Sequence, residues 1–557
     1  TLTACKLAGL GKNGNQGRAL DLCSFYLDDG LLAGSVEAVA EALALLQAEC
    51  ASIGLTLQLS KSELVVPTNT EPSNLNNHFP HDLLWDDEKN KSRVLCQNFD
   101  YLGAAIGDAT FCESWTTETV NKAQALLDAL SDLDDPQVGL RLMRHCAGFS
   151  KLVYSMRTTP AALQEFALLR YDDQMRNAFT SLTGLNVDVG AWGQATRGYA
   201  HAGLGLRACA RHAHAAHIAS RAQTKEACVE LDSNFLWEGA DPNSYLAQGI
   251  HAYNFEVGAA DIIALQPEAK LKQQSLSKAL DEADHALFMA SLDMDSKAHI
   301  NSETLCGASD WLAACPSGDC CMSPEEFTVE LKTRLLQDVF PADAFCELCG
   351  DVMDRKGHHA ATCACGGDRT RRHNGVRDRS CSFASAARQH PEKEKPGLLQ
   401  PSPDQPNAAG RRPADMYLPS WHRGAGAAVD IAITSPTRRD FVLEASRMPG
   451  AAATAYEQSK RSFMNTAEDC IQQGFSFIPL VGEPTGGWGP SAQCLFKQLA
   501  RAVANFSGRD MAIELQDHRH PIGVFLRRSH ARAIFSRALG PEPHILGSAI
   551  AALADNE

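Results

Sequence analysis

The sequence lacks long apolar segments. No stretch of its 557 residues approaches the roughly 18 uninterrupted apolar residues of a transmembrane helix, so no membrane partner is expected. The opening residues TLTACKLAGLGKNGNQ lack a basic segment followed by an apolar run. We therefore expect no secretory signal, and a nuclear or cytoplasmic location. With 44% hydrophobic and 21% charged residues, the composition is ordinary for a globular chain with several cores.

Basic residues are scarce overall, at 51 Lys and Arg against 67 Asp and Glu, which gives a net charge of −16. Spread evenly, that acidity would argue against nucleic-acid binding. The charge is uneven, however, because residues 355–412 contain twelve basic residues and five acidic ones. Local basic patches set phosphate affinity more than the total does. This patch predicts DNA and RNA as partners.

Two adjacent carboxylates, Asp28 and Asp29, lie between short apolar runs in SFYLDDGLLAG, a pattern typical of a β-hairpin. Carboxylates at a hairpin tip suit hard cations such as Mg²⁺, which stabilise the reacting oxygens of phosphoryl transfer. A helix capped by Ser35 should follow and end near Gly54. We expect strands in LTLQL, ELVVP and VLCQNFDYLGAAIGD, with a loop insertion over 67–93.

FYLDDG, a helix, GLTLQLSKSE and FDYLG occur in the order of reverse-transcriptase palm motifs, and this region resembles the reverse transcriptase of a non-LTR (LINE-like) retrotransposon. The resemblance implies that Asp28 and Asp29 belong to the catalytic YxDD turn. It also assigns nucleotide or primer binding to Tyr26, Lys61 and Gly103. Such polymerases need a further metal-binding Asp and fingers upstream. With 27 residues before Asp28, we expect this chain to be polymerase-incompetent.

Nineteen cysteines are many for an intracellular chain, and most fit as buried, reduced thiols. One segment, FCELCGDVMDRKGHHAATCACGG, instead has the spacing C-x2-C-x8-H-x4-C. Four such ligands in a short span suit a closed tetrahedral Zn²⁺ site. The predicted ligands are Cys346, Cys349, His358 and Cys363. His359 competes with His358, and Cys365 is an alternative to Cys363.

A third group comprises Asp415 beside one predicted strand, Asp430 at the start of a second, and Lys460 in the helix that follows. Two carboxylates on adjacent strand ends suit Mg²⁺, and a nearby Lys orients the attacking water or offsets developing charge. The nearby acids Glu444, Glu457 and Glu483 are alternatives, although solvated charges are their favoured interpretation.

The order of these residues after the Cys/His segment resembles PD-(D/E)xK nucleases, particularly the restriction-like endonuclease that follows a CCHC knuckle in some non-LTR retrotransposons. The sequence departs from the motif because Ala414 separates Pro413 from Asp415, and because Ala432 stands two residues after Asp430. Related elements supply the Lys from the next helix, which favours Lys460. Arg372-His373-Asn374 after the knuckle also fits this arrangement.

The sequence thus predicts a multidomain chain of α+β and α/β class. Its expected segments are a partial reverse-transcriptase palm, a helical thumb-like region, a helical linker, a zinc knuckle, a restriction-endonuclease-like α/β domain and a basic helical tail. Their bounds are 1–110, 111–235, 236–340, 341–368, 369–500 and 501–557.

The function implied by the resemblance is that of a retrotransposon RNA-directed DNA polymerase/endonuclease fragment. In a whole element, the endonuclease nicks chromosomal DNA, and the freed 3′-hydroxyl primes copying of the element's RNA. Two alternatives remain open. One is a catalytically dead nucleic-acid-binding remnant, and the other is a host-adapted protein that uses the zinc and helical domains for protein contacts.

Overall fold

The computed structural model describes residues 20–26, 29–67, 74–231, 235–267, 270–399, 412–422 and 424–537. Contacts divide the chain into two compact units. Unit 1 comprises Thr1–Ala123, Ser150–Asp172 and Cys209–Leu280. Unit 2 comprises Gln124–Phe149, Asp173–Ala208 and Asp281–Glu557. Each unit draws on three separate stretches of the chain.

The described residues form a mixture of helices and small sheets, which confirms the predicted α+β class at this level. None of the described helices combines the length and apolar character needed to cross a bilayer. The strands are β1 Leu20–Tyr26, β2 Asp29–Gly34, β3 Leu64–Val66, β4 Trp85–Asp86, β5 Lys91–Ser92, β6 Val94–Cys96, β7 Phe99–Tyr101, β8 Ala104–Ile106, β9 Ala344–Phe345, β10 Val352–Met353, β11 Glu392–Lys393, β12 Met416–His422, β13 Ala425–Ile433 and β14 Ser476–Gly482.

The α-helices, in chain order, are α1 Val36–Ser52, α2 His81–Leu84, α3 Ala109–Ser131, α4 Pro136–Cys146, α5 Val153–Thr158, α6 Glu165–Thr183, α7 Val189–Thr196, α8 Cys209–Leu231, α9 Tyr245–Glu256, α10 Gln273–Ser291, α11 Met294–Glu303, α12 Asp310–Ala313, α13 Pro324–Arg334, α14 His358–Thr362, α15 Asp368–Ala386, α16 Val442–Arg447, α17 Ala451–Ser462, α18 Thr466–Gln472, α19 Pro490–Ser507 and α20 Met511–Phe535.

Unit 1 begins with the predicted hairpin, in which β1 and β2 pair antiparallel. Ser35 caps α1 by accepting a hydrogen bond from the Ala38 amide at 3.3 Å. The strand predicted in LTLQL was wrong, since those residues are irregular and lead into a 3-10 turn at Leu59–Lys61. The 67–93 insertion also contains more structure than predicted, namely α2 and the β4–β5 pair.

Two hydrophobic clusters stabilise unit 1, because their side chains leave water together. One surrounds β3 and β6 and includes Val66, Leu75, Leu83 and Val94. The other joins α8, α9 and the start of α10, and it includes Ile218, Ile250, Tyr253 and Leu276.

Unit 2 contains a four-stranded sheet of order β11-β12-β13-β14. β12 and β13 are antiparallel, whereas β13 and β14 are parallel over seven residue pairs, Ala427 to Ile433 against Ser476 to Gly482. Helices α15, α19 and α20 pack on this sheet around a large core that includes Phe383, Trp488 and Phe496. The sheet and its helices hold the cleft described below, and the end of α20 packs against the Cys/His segment.

The region after residue 500 differs from the predicted basic tail in where its arginines lie. Arg527 and Arg537 are buried, at 1% and 2% exposure. Arg527 donates to Glu303 at 2.5 Å and to Glu330 at 3.0 Å, and Arg334 also donates to Glu303 at 2.5 Å. These ion pairs join α11, α13 and α20, because buried charges must be paired to be tolerated. Residues 538–557 lie outside the described residues.

Candidate functional site

The Cys/His segment of unit 2 folds back on itself through a short hairpin. β9 and β10 pair antiparallel, and the turn between them carries the first two cysteines. The Cys346 amide donates to the Asp351 carbonyl at 2.8 Å, while the Gly350 amide donates to the Cys346 carbonyl at 2.7 Å. Gly350 has a φ of +77°, a conformation that glycine adopts without a Cβ clash. This turn places Cys346 and Cys349 side by side.

The helix α14 decides which histidine joins the cysteines. Both Asp354 carboxylate oxygens accept from its first amides, at 3.0 Å from His358 and 2.7 Å from His359. Successive residues of a helix point about 100° apart. His359 faces Cys349, with Nε2 3.3 Å from Sγ. His358 faces away and packs against His299, with ring centroids 5.2 Å apart. The predicted ligand His358 is thus replaced by its competitor His359.

Four donor atoms meet at this point. Those of Cys346, Cys349, His359 and Cys363 all lie within 4.8 Å of one another. Around a tetrahedral zinc ion, neighbouring sulfur and nitrogen donors are about 3.5 to 3.8 Å apart. The set therefore fits and can bind a metal ion such as zinc. Cys365 is exposed and lies outside the set, so the predicted Cys363 is the fourth donor.

The fourth donor is held by the end of α20. Burial works to raise the pKa of the Cys363 thiol, but contacts with the Arg537 guanidinium, the Cys365 backbone and the Cys349 thiol together outweigh burial, and the pKa is lowered. A lower pKa favours the thiolate, the form that binds metals. Cys346 and Cys363 also pack in one apolar cluster with Ala533 and Ile534. With four protein donors, the site has no open position, which is typical of structural zinc.

A second site lies on the sheet of unit 2, where β12 and β13 run side by side. Asp415 immediately precedes β12, and its amide donates to the Val429 carbonyl at 3.0 Å. Asp430 follows Val429 within β13, so it lies inside the strand rather than at its start as predicted. The Asp415 Oδ2 accepts a hydrogen bond from the Ile431 amide at 2.7 Å. The two carboxylates therefore lie on neighbouring strands.

Two basic side chains meet these carboxylates. Lys460, in α17, places Nζ 3.1 Å and 3.0 Å from the two Asp430 oxygens. His373, in α15, places Nε2 3.2 Å from the Asp415 Oδ2. The structure thus brings together Asp415, Asp430 and Lys460 and adds His373, which was absent from the predicted ligand set. The sequence signal for it was its position in Arg372-His373-Asn374.

The pKa values of all four groups are shifted: three are raised and that of Asp415 is lowered. Burial raises the pKa of Asp430 to about 6, with the neighbouring Asp415 carboxylate adding to the rise. The hydrogen bond to Asp415 raises the pKa of His373. Burial opposes the charged forms of Asp415 and Lys460, but their partners prevail, so the pKa of Asp415 is lowered and that of Lys460 raised. A crowded, half-buried carboxylate pair of this kind favours an added cation.

These side chains line an open cleft of about 440 Å³. Its lining includes Arg369, Arg438, which also pairs with Asp440 at 2.8 Å, and hydroxyl groups such as those of Thr362 and Ser435. Such donors suit the oxygens of a phosphodiester backbone. The rest of the predicted basic patch is largely paired. Examples are Arg371 with Asp368, Lys393 with Asp378 and Lys395 with Glu392.

None of the alternative acids is among the residues lining the cleft. Glu457 accepts from the Ser491 amide at 3.0 Å and from its hydroxyl at 2.7 Å. Glu444 is exposed and pairs with Arg447. Glu483 is only 1% exposed, and burial raises its pKa to about 7.

The predicted polymerase residues are distributed over unit 1. Asp28 lies outside the described residues, while Tyr26 and Asp29 form the last cross-strand pair of the first hairpin and are both exposed. Lys61 ends an exposed 3-10 turn. Gly103, with a φ of +78°, lies in the turn that joins β7 to β8. Within the described residues, no hydrogen bond or ion pair links Tyr26 or Asp29 to Lys61 or Gly103.

No protein-family model matches this chain, and no curated protein matches it.

Proposed function

We propose that unit 2 binds DNA and cleaves one strand by Mg²⁺-dependent hydrolysis, as the resemblance to retrotransposon endonucleases implies. The observation that carries the proposal is the meeting of Asp415, Asp430 and Lys460 on the wall of an open, cation-rimmed cleft. These residues lie far apart in the chain, and their meeting is what a hydrolytic phosphodiester site requires.

Asp415 and Asp430 would hold the metal ion. Their fit rests on geometry, because both carboxylates line the same cleft and offer oxygen donors, the ligands that hard cations prefer. Bound there, Mg²⁺ would polarise a phosphodiester oxygen and lower the pKa of a water molecule. The His373 imidazole and the Ile431 amide fix one Asp415 oxygen, so the other remains available. Asp415 is thereby oriented before any ligand arrives.

Lys460 would act on the reacting groups. Its side chain is 28% exposed, its ammonium reaches Asp430, and it lines the cleft beside the carboxylate pair. From there it can orient the attacking water and offset the charge that develops on phosphorus oxygens. The water oxygen loses a proton as it bonds to phosphorus, the bond to the 3′-oxygen breaks, and that oxygen takes up a proton. The products are a 3′-hydroxyl and a 5′-phosphate.

The metal centre would supply positioning rather than chemistry. Its four protein donors leave no place for a substrate oxygen. Thr362, one residue before Cys363, lines the cleft, and Arg369 a few residues later does the same. Zinc would therefore hold the segment from which one wall of the cleft is built.

Conversion of supercoiled plasmid to nicked circles, with and without Mg²⁺, tests the proposal. Asp430→Asn should lower the nicking rate by at least about a hundredfold, because it removes a charged metal ligand. Glu444→Gln is the matched control, since this exposed carboxylate pairs with Arg447 on the surface of the same unit and does not line the cleft. Zinc content should be unchanged in both variants, and both should remain folded.

Nicking by the parent chain that persists in Asp430→Asn would contradict the proposed metal site. A parent chain that folds, holds zinc and binds DNA without nicking would contradict the enzymatic function. That second result would support the binding remnant instead, and DNA affinity should then fall steeply as salt concentration rises.

A further inference from the structure

A second, smaller pocket lies next to the cleft in unit 2, and the two share Ala361 and Ser435. It lies beyond the carboxyl ends of the parallel strands β13 and β14. Ser435 and Thr437 follow β13, and Thr485 follows β14. The carboxyl ends of parallel strands are the usual ligand-binding edge of an α/β sheet. The place of the pocket in the fold therefore favours a binding role.

Hydrogen-bond donors dominate the wall of this pocket. The described residues that line it include no Asp or Glu, and the polar ones include His299, Lys356, His358, Thr437, Thr485 and Arg527. Lys356 donates to Ser296 at 2.9 Å and lies 3.8 Å from Asp293, and Arg527 is paired with Glu303 and Glu330 outside the lining. The lining itself presents donors without a carboxylate, which suits an oxyanion. Among the described residues, the group Cys346, Cys349, His359 and Cys363 is the one close enough to hold a metal ion, so the histidines of this pocket do not form a metal site.

Several buried donors of this wall have unused hydrogen-bonding capacity. Among the described residues, the buried Nε2 of His358 and Nε of Arg527 have no hydrogen-bond partner. The Nε2 of His299 makes no hydrogen bond to them either, and it lies 3.5 Å from Glu303 Oε1. Buried polar atoms are nearly always satisfied in folded proteins. A cluster of unsatisfied atoms around one pocket indicates a missing polar ligand.

The size of the pocket limits what it can hold. The space between its side chains is about 370 Å³ when its opening to solvent is included, but only about 20 Å³ can be occupied by the centre of a water molecule. That interior is slightly larger than one water molecule needs and too small for a base or a sugar. A compact tetrahedral oxyanion matches these limits.

We propose that this pocket binds a single phosphate group, through Lys356, the histidines His299 and His358, Arg527 and the hydroxyl of Thr437. The assignment of that phosphate to a nucleic-acid strand in the adjoining cleft rests on the proposed nuclease function. A free phosphate ion offers the same chemistry to the pocket. A phosphate held here would anchor the strand beside Asp430 without touching the metal ligands.

Calorimetric titration of the zinc-loaded full chain with inorganic phosphate, against sodium chloride of equal ionic strength, tests this site. Lys356→Met should weaken phosphate binding at least about tenfold, because a hydrogen bond to a charged group is lost. Thr437→Val is a second variant from another segment and should weaken binding in the same direction. Lys393→Met is the control, since that lysine pairs with Asp378 away from the pocket.

Nicking kinetics distinguish a phosphate of the nucleic-acid strand from a free phosphate ion as the ligand of the pocket. If a strand phosphate occupies the pocket, Lys356→Met should raise the KM for plasmid, and inorganic phosphate should inhibit competitively. If free phosphate is the ligand, titration shows binding and the KM stays unchanged. The phosphate site is overturned if Lys356→Met and Thr437→Val fold, hold zinc and keep both the phosphate affinity and the plasmid KM of the parent chain.

This outcome is separable from that of the nuclease proposal. Asp430→Asn should bind inorganic phosphate as the parent chain does, because Asp430 does not line this pocket. A parent chain that nicks DNA but binds no phosphate refutes the pocket alone. One that binds phosphate in a Lys356-dependent way but never nicks refutes the nuclease alone.

Discussion

The metal centre and the cleft of unit 2 are built in opposite ways. The metal centre gathers its donors from one short segment, buries two of them and uses all four, so it is closed. The cleft gathers Asp415, Asp430, Lys460 and His373 from two strands and two helices, and it is open to solvent. A closed donor set stabilises the fold, whereas an open one leaves a carboxylate pair available to a ligand. Because one donor set is closed and the other is open, we expect the two sites to respond differently to substitution.

The sharpest test of the closed site compares two adjacent histidines. His359→Gln should lower zinc affinity by at least about a hundredfold, because loss of a ligand exceeds the 10–100-fold effect of outer-shell partners. His358→Gln should retain one zinc ion per chain, since its ring faces His299. Zinc content after dialysis and thermal unfolding report the two results.

The folding of the Cys/His segment should depend on zinc, because in small metal-bound segments the free energy of zinc binding contributes directly to the free energy of folding. Chelator treatment should therefore lower the unfolding temperature of the parent chain. His359→Gln should show no further loss on chelation. Equal zinc content in both histidine variants would refute the assignment of the fourth ligand.

The choice between His358 and His359 also shows how much of the metal site could be predicted from the sequence. Spacing identified the cysteines and restricted the histidine to two neighbours, but the phase of α14, set by the Asp354 cap, decided between them. The spacing of residues in a sequence does not say which side of a helix each residue faces. The same limit applied to LTLQL, where the Leu55 amide bonds back to the Cys50 carbonyl at the end of α1 instead of joining a sheet.

Local signals were reliable where the structure is local. The hairpin around Asp29, the Ser35 cap and the strand in ELVVP all appear as predicted. The meeting of Asp415, Asp430 and Lys460 was expected from a resemblance, because no local pattern links residues so far apart. His373 and the buried Arg527 depend on helix packing against the sheet and the neighbouring helices, which the sequence alone does not encode in any short window.

The open site should show its character in the pH dependence of nicking. Burial raises the pKa of Asp430 from 3.8 to about 6, so this carboxyl group is neutral below that pH and charged above it. The nicking rate should fall as the pH falls through about 6. Higher Mg²⁺ concentration should move this midpoint downward, because the cation competes with the proton. Rate profiles at two Mg²⁺ concentrations measure both effects.

Stability should change in the opposite sense. A carboxyl with a raised folded-state pKa contributes stability that is fully present below its ordinary pKa and is lost as the pH rises through about 6. Asp430→Asn removes this dependence, so its unfolding free energy should decline less between pH 4 and pH 7 than that of the parent chain. A midpoint of nicking that ignores Mg²⁺, or identical stability profiles, would contradict the role given to Asp430.

The smallest effect should come from His373, which positions Asp415 and would not touch the metal ion. His373→Gln keeps a hydrogen-bond donor, whereas His373→Leu removes it and leaves one Asp415 oxygen with only the Ile431 amide. We expect about a tenfold loss of nicking in the leucine variant and a smaller loss in the glutamine variant. The leucine variant should also need more Mg²⁺ for half-maximal rate, since a less oriented carboxylate binds the cation more weakly. A purely structural histidine would instead lower the unfolding temperature of both variants and leave the Mg²⁺ requirement unchanged.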